Sequence, residues 1–387
     1  MVFNRLRFAD EKEEMKRTTF ITAIVALLVL GGCSIEPILH LHKAIKAKVA
    51  LSTKVNVDVM WQVNWTASWV FNWNVAALGP IGYTAPSSMR MHVFTQGPDG
   101  NPVSHFTHNF VGDNSQMEIF VGTHDILFHN NDSEALLFSQ DNEYADVNCY
   151  TRKLASGLKP SLEVLTVAQK AAGKTKSPDE IVEAVNLTPD GLFSFYDKNQ
   201  VITDNLDDYI FEDGKYILKI EGELVPSTFI YLFQIKLANN NDRVVGSAGG
   251  AALTGMSQGV DLMTRESWTE TASYLMDVYM DKGQDMLGAK VFTFGIPGCN
   301  PYDAASVAAA PEGKNYLVIN ISYVNGSTRN ISLDVTDQVR ALPTGGVVDL
   351  EIDVNDFPPD PSAGGDGGFV ALIGDWDEQT GSATIIN

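Results

Sequence analysis

The sequence predicts a mostly β protein of sandwich domains with few short helices. Three observations carry that prediction. Apolar residues recur at every second position in several stretches. Gly, Pro, Asn and Asp cluster between those stretches. Thr, Val, Tyr and Phe, which suit a pleated surface, recur throughout. The 387 residues suffice for two or three domains, and at 44% hydrophobic and 19% charged they can fill a sizeable core. The formal net charge of −21 repels phosphate backbones and argues against a nucleic-acid partner. Its simplest role is solubility.

Residues 1–32 read as an export signal whose true start is Met15. Lys16 and Arg17 form a basic region, and residues 18–30 are an apolar run. Such a run of about 7–15 residues is too short to span a bilayer comfortably and marks a cleaved signal. It ends in Leu30-Gly31-Gly32-Cys33, which resembles the lipobox of bacterial lipoproteins. That resemblance implies cleavage before Cys33, a diacylglyceryl thioether on its sulfur, and acylation of the new amine with a fatty acid such as palmitate. Two or more chains are what stable anchoring needs, at about 0.8 kcal/mol per buried CH₂. Ser34 would not retain the protein at an inner membrane, so the expected location is the cell outer membrane. Residues 33–53 form the lipidated tether, made locally basic by His40, His42, Lys43, Lys46 and Lys48.

The first β domain is expected over 54–205. From Lys54, Val55, Val57, Val59, Trp61 and Val63 alternate with polar neighbours. Trp65, Trp69, Phe71 and Trp73 follow, and core packing is the favoured role for these aromatics over a sugar-stacking platform. Further strands are expected at 89–95, 117–121, 123–130 and 135–138, the first closed by the turn Gly97-Pro98-Asp99-Gly100. Ser177-Pro178-Asp179-Glu180 predicts a short helix through Val185.

The second β domain is expected over 206–356, with strands at 216–221, 228–237, 290–295 and 347–354. Residues 316–323 and 328–335 flank Asn325-Gly326, the strongest hairpin signal in the chain. The Gly-rich stretch 246–255 lacks the spacing and lysine of a phosphate loop and reads as close backbone packing or a flexible connection. Residues 357–387 hold a Gly/Pro linker and then Phe369, Val370, Ala371, Leu372 and Ile373, followed by Trp376. A lone strand beyond a linker must pair with a sheet edge, its own or a neighbour's.

Four segments taken together resemble a known family. They are Asp125-Ile126-Leu127-Phe128-His129-Asn130-Asn131-Asp132-Ser133-Glu134, Thr254-Gly255-Met256-Ser257, Val335-Thr336-Asp337-Gln338-Val339 and Gly374-Asp375-Trp376. The family is one of Bacteroidota lipoproteins carrying a domain of unknown function, similar to fimbrillin and fimbrial-anchor proteins. The resemblance implies two transthyretin-like β-sandwiches in series. It also implies a surface role as anchor, accessory or subunit of type V pili, with pilus subunits as partners and assembly by strand addition. It carries over no catalytic residue and no cofactor. An Arg-terminated pro-segment of the kind polymerising fimbrillins lose is not found, which favours an anchor or accessory role.

Enzyme signatures are absent. His105 and His108 lack the companions of a metal site, and no H-E-x-x-H occurs. Asp353, Asn355, Asp356 and Asp360 fail the calcium-loop template and read as a solvated acidic turn. No Gly-x-Ser-x-Gly is present. No metal or cofactor is expected. Cys149 and Cys299 are open to two readings, a disulfide or two buried thiols. The alternative function is that of a surface glycan-binding lipoprotein, suggested by Trp61, Trp65, Trp69 and Trp73. Two coplanar, exposed indoles would favour it.

Overall fold

The structure, a computed structural model, describes residues 46–55, 68–140, 146–154, 167, 170, 183–360, 373–377 and 382–385. It is mostly β, with several sheets and few short helices. The signal, Cys33 with its lipobox, Trp61, Trp65 and the tail positions 369–372 lie outside the described residues.

In chain order the strands begin with β1 (Lys46–Val55), β2 (Ser88–Gln96), β3 (Pro102–Val111), β4 (Asn114–Phe120), β5 (Gly122–Asn130), β6 (Leu136–Gln140) and β7 (Val147–Thr151). There follow β8 (Ala184–Asn186), β9 (Phe193–Ile202), β10 (Ile210–Glu212), β11 (Lys215–Pro226), β12 (Phe229–Ala238), β13 (Val244–Ser257) and β14 (Gly259–Asp261). The last are β15 (Thr271–Met276), β16 (Val278–Asp281), β17 (Met286–Thr293), β18 (Tyr316–Tyr323), β19 (Thr328–Asp334), β20 (Gly346–Asp353), β21 (Ile373–Asp377) and β22 (Ser382–Ile385).

Contacts divide the chain into two compact units. Among the described residues, the smaller comprises 46–49, Met117–Gly122 and Ile202–Leu218. Within it β10 pairs antiparallel with the start of β11, Phe211 opposite Tyr216, and Lys46 Nζ lies 5.0 Å from the Phe120 ring centre. The larger comprises the described residues within 50–116, 123–201 and 219–387. In it, one sheet runs in the order β3-β2-β5-β9-β11. A four-stranded sheet runs β16-β17-β12-β20 and a five-stranded sheet β19-β18-β13-β15-β8, with β14-β7-β6 as a third small sheet.

Strand β12 shows why this packing forms. Phe229, Tyr231, Phe233, Ile235 and Leu237 point into a core shared with Leu253, Ile319, Val291 and Val348. The intervening Ile230, Leu232 and Gln234 are buried too, so both faces of β12 are covered and its sequence reads as a continuous apolar run. Antiparallel β17 and parallel β20 flank it.

The Gly-rich stretch lies within β13 and supplies close backbone packing. Gly250 and Gly255 have φ of +73° and +76°, and a Cβ on either would lie 2.4 Å from a carbonyl oxygen, of Met276 and Lys314 respectively. β13 bulges at three places along its two partners, which hid it from an alternation test. The helix expected through Val185 is corrected at its end. Ala184 and Val185 belong to β8, which pairs in parallel with β15; residues 177–182 are outside the described set. Three ladder registers outweigh the capping signal there. Tail residues Ile373 and Trp376 lie on β21, paired with Ile385 and Ala383 of β22.

Candidate functional site

Three features of the larger unit bear on function: an aromatic strap, two contrasting sheet edges, and a row of histidines.

The strap is the segment 68–79, carrying Trp69, Phe71 and Trp73. Two glutamine side chains hold its backbone as a neighbouring strand would. Gln234 accepts from Val70 N (2.9 Å) and donates to Ser68 O (2.9 Å). Gln284 accepts from Asn72 N (3.0 Å) and donates to Val70 O (2.9 Å). Phe71 seats over Gly288, where a Cβ would meet its ring at 2.5 Å. Trp73 donates to Gly79 O (3.0 Å) and meets Tyr279 edge-on at 5.5 Å. The indoles of Trp69 and Trp73 are half-buried and inclined at 62°. They do not form the coplanar exposed pair that a sugar platform needs, and their role is packing.

Both β3 and β20 end a sheet order. On the open side of β20, Gln338 donates to Asp349 O (3.0 Å) and accepts from Asp349 N (3.0 Å). One side-chain amide thus fills the place of a pairing residue. β20 also carries Asp349, Glu351 and Asp353, charges that discourage a visiting strand. The terminal strand β19 carries Arg329 and Asp334, and the terminal β8 and β16 are short. β3 differs: ten residues, no Asp, Glu, Lys or Arg, and only Pro102 as a guard at one end. It pairs with β2 from Ser88–Val111 to Gln96–Pro102, and its one register shift lies at the Gln96 end. Among the described residues no strand pairs with its other side. Val103 and Val111 are 59% and 85% exposed.

Under β3 runs the histidine row, one residue from each of three strands. His105 Nε2 lies 3.1 Å from His92 Nδ1, and His92 Nε2 lies 3.0 Å from His129 Nε2. His129 Nδ1 lies 2.7 Å from Asn130 O. A carbonyl only accepts, so His129 donates from Nδ1 and its bare Nε2 accepts from His92. His92 Nδ1 is then bare and accepts from His105. The row is neutral and all its protons point one way. Burial, then the neighbouring His129 and His105, push His92 down to about 3. Burial outweighs the Asn130 carbonyl bond and pushes His129 down to about 4. Desolvation lowers His105 as well. His92 pairs in register with Thr107 and Leu127, so His105 and His129 each lie on its diagonal. Positions 92, 105 and 129 carry no shared sequence spacing, and strand register was the missing signal.

His105 and His108, expected to be no metal pair, do not converge: His108 turns to Ser115 Oγ (2.9 Å) and Phe110. Among the described residues no group of three or more His, Cys, Asp or Glu could hold a metal ion. Asp353 accepts from Asn355 N and Asn239 Nδ2 and closes a turn. Cys149 and Cys299 are buried free thiols, raised by desolvation. The quoted motifs are joints of the fold. Thr254 Oγ1 accepts from Tyr316 N, Asn315 Nδ2 donates to Thr254 O and Gly255 O, and Gln338 holds β20.

The family described as a domain of unknown function (DUF5119) matches residues 66–277, more than half of the chain, and the chain belongs to that family. No curated protein matches it. Among solved structures, it is similar to a candidate adhesin from Bacteroides ovatus, at TM-score 0.47 and 12% identity over 83% of this chain and 96% of that one. A candidate polysaccharide-binding protein from Bacteroides thetaiotaomicron matches at 0.44 and 9% over 79% and 91%. The fimbrial anchor protein Mfa2 from Porphyromonas gingivalis matches at 0.40 and 10% over 79% and 90%. Likeness at these levels does not transfer a function.

Proposed function

We propose that the chain is a surface lipoprotein of the outer membrane, held by acyl chains on Cys33, that takes up a partner's β-strand along β3. In this reading it is an anchor, accessory or adhesion subunit of a type V pilus, without enzymatic activity. The observation that carries it is the unguarded edge of β3. An exposed edge offers a row of main-chain donors and acceptors, and proteins usually blunt such edges with charge, bulges or brevity. Strand addition uses that row for affinity and side-chain alternation for specificity. Two transthyretin-like sandwiches, 54–205 and 206–356, belong to the same reading. The core between the four- and five-stranded sheets is the support for the second, and it also takes in Phe94, Leu127, Leu136, Val147, Cys149 and Leu192 from the first segment.

The donor is a strand such as the tail 369–376 of another copy or of a related subunit. Deleting residues 369–387 is expected to stop the chain from donating, and Thr107→Lys, at an exposed β3 position, to stop it from accepting. Co-assembly with pilus subunits on cells is the readout. Assembly unchanged in both variants sinks the reading.

A further inference from the structure

A cavity of about 270 Å³ opens beside the strap, lined by Asn130, Asp132, Asp190, Lys290, Phe292 and the 80–86 loop. Its volume falls just under the span of drug-sized pockets, about 300–1,000 Å³, and suits a single sugar ring. The lining is fixed by its own hydrogen bonds. Asn130 donates to Asp132 Oδ1 (3.0 Å) and Gly191 O (3.0 Å) and accepts from Phe193 N (2.8 Å). Ser87 donates to Asp132 Oδ2 from its backbone N (2.6 Å) and Oγ (3.0 Å). Ser133 Oγ donates to Asp190 Oδ2 (2.6 Å).

Lys290 is half-buried. Its one hydrogen bond among the described residues goes to Pro80 O (2.6 Å), and its ammonium sits 5.5 Å from the Phe292 ring and 5.9 Å from the Trp73 ring. An ammonium has three donors, so two stay available. The cavity therefore offers ammonium donors, carboxylate acceptors and an aromatic wall together. A bare cation is repelled by Lys290. An anion meets two carboxylates, and burial at Asp132 is outweighed by the Ser87 and Asn130 bonds that keep it ionised. Hydroxyls that both donate and accept, on a ring with an apolar face, match all three features.

We propose that this cavity binds one residue of a neutral or N-acetylated saccharide, with Lys290 and Asp190 on its hydroxyls and Phe292 against its ring. The site is separate from β3 and does not rest on strand uptake. The test applies the full chain, in detergent, to an array of hexoses, N-acetylhexosamines and uronic acids as single sugars and short chains, followed by titration of the strongest binder. Saturable binding is expected. Lys290→Met and Asp190→Asn should each weaken it roughly 10–100-fold, the range for a hydrogen bond to a charged group. Asp190→Asn retains an acceptor for Ser133 Oγ, so a thermal melt matching the parent separates site loss from unfolding. Thr107→Lys should leave sugar binding unchanged. A silent array, binding confined to uronic acids, or binding undiminished in both variants overturns the proposal.

Discussion

β20 and β3 are both outermost strands, and they are finished in opposite ways. β20 lies parallel to β12 over its whole length, carries three acids, and has Gln338 bonded to both main-chain groups of Asp349. β3 is longer, uncharged and regular over 104–111, with no strand on its far side among the described residues. A sheet edge can be closed by one well-placed amide. The same device recurs at Gln234 and Gln284, which fasten the strap. An edge left without it in a molecule that uses it three times is a candidate contact surface.

Acid should separate the two edges most. The imidazoles of His92 and His129 are neutral when folded and take up protons on unfolding. Their contribution is full above about pH 6.5 and is lost as pH falls toward 4 and 3. A loss on the order of 3–5 kcal/mol between pH 7 and pH 4.5 follows for the β2-β3-β5 side. Denaturant melts across that range should show it, and hydrogen exchange should show β2, β3 and β5 opening before β12 and β20. A flat stability profile contradicts the neutral row.

Breaking the guarded side needs a change at its root. Gly345 has φ +81°, and a Cβ there would lie 2.3 Å from Ile230 O. Gly345→Ala should cost about 2–4 kcal/mol, through backbone strain and a clash that no rotamer relieves. An unchanged melting temperature would count against the tight entry into β20.

Gln338→Ala probes the guard itself. Solvent can satisfy the freed groups of the exposed Asp349, so the stability loss should be about 1 kcal/mol. The new open edge should cause concentration-dependent self-association, read by sedimentation. A monomer at all concentrations would show that the acids of β20 suffice.

The sequence shows the guarded regions better than the open one. Asn325-Gly326 marks the β18–β19 hairpin, whose strands the structure pairs from Tyr316–Asp334 to Ser322–Thr328. The apolar run of β12 and the alternation of β20 were legible because both rest on a core. β3 was not, since Ser104, His105, Thr107, His108 and Asn109 place polar residues on both of its faces. Alternation reports a buried face, and an edge strand need not have one. The same limit hid the cavity, which gathers Asp132, Asp190 and Lys290 from distant parts of the chain.

Hydrogen exchange along β3, in the isolated chain and in the chain recovered in its cell-surface assembly, puts the idea of strand uptake to the most direct test. Slowed exchange of the β3 amides upon assembly, with β20 unchanged, is the expected result. Equal exchange of β3 in both states, or protection gained at β20 instead, would contradict it.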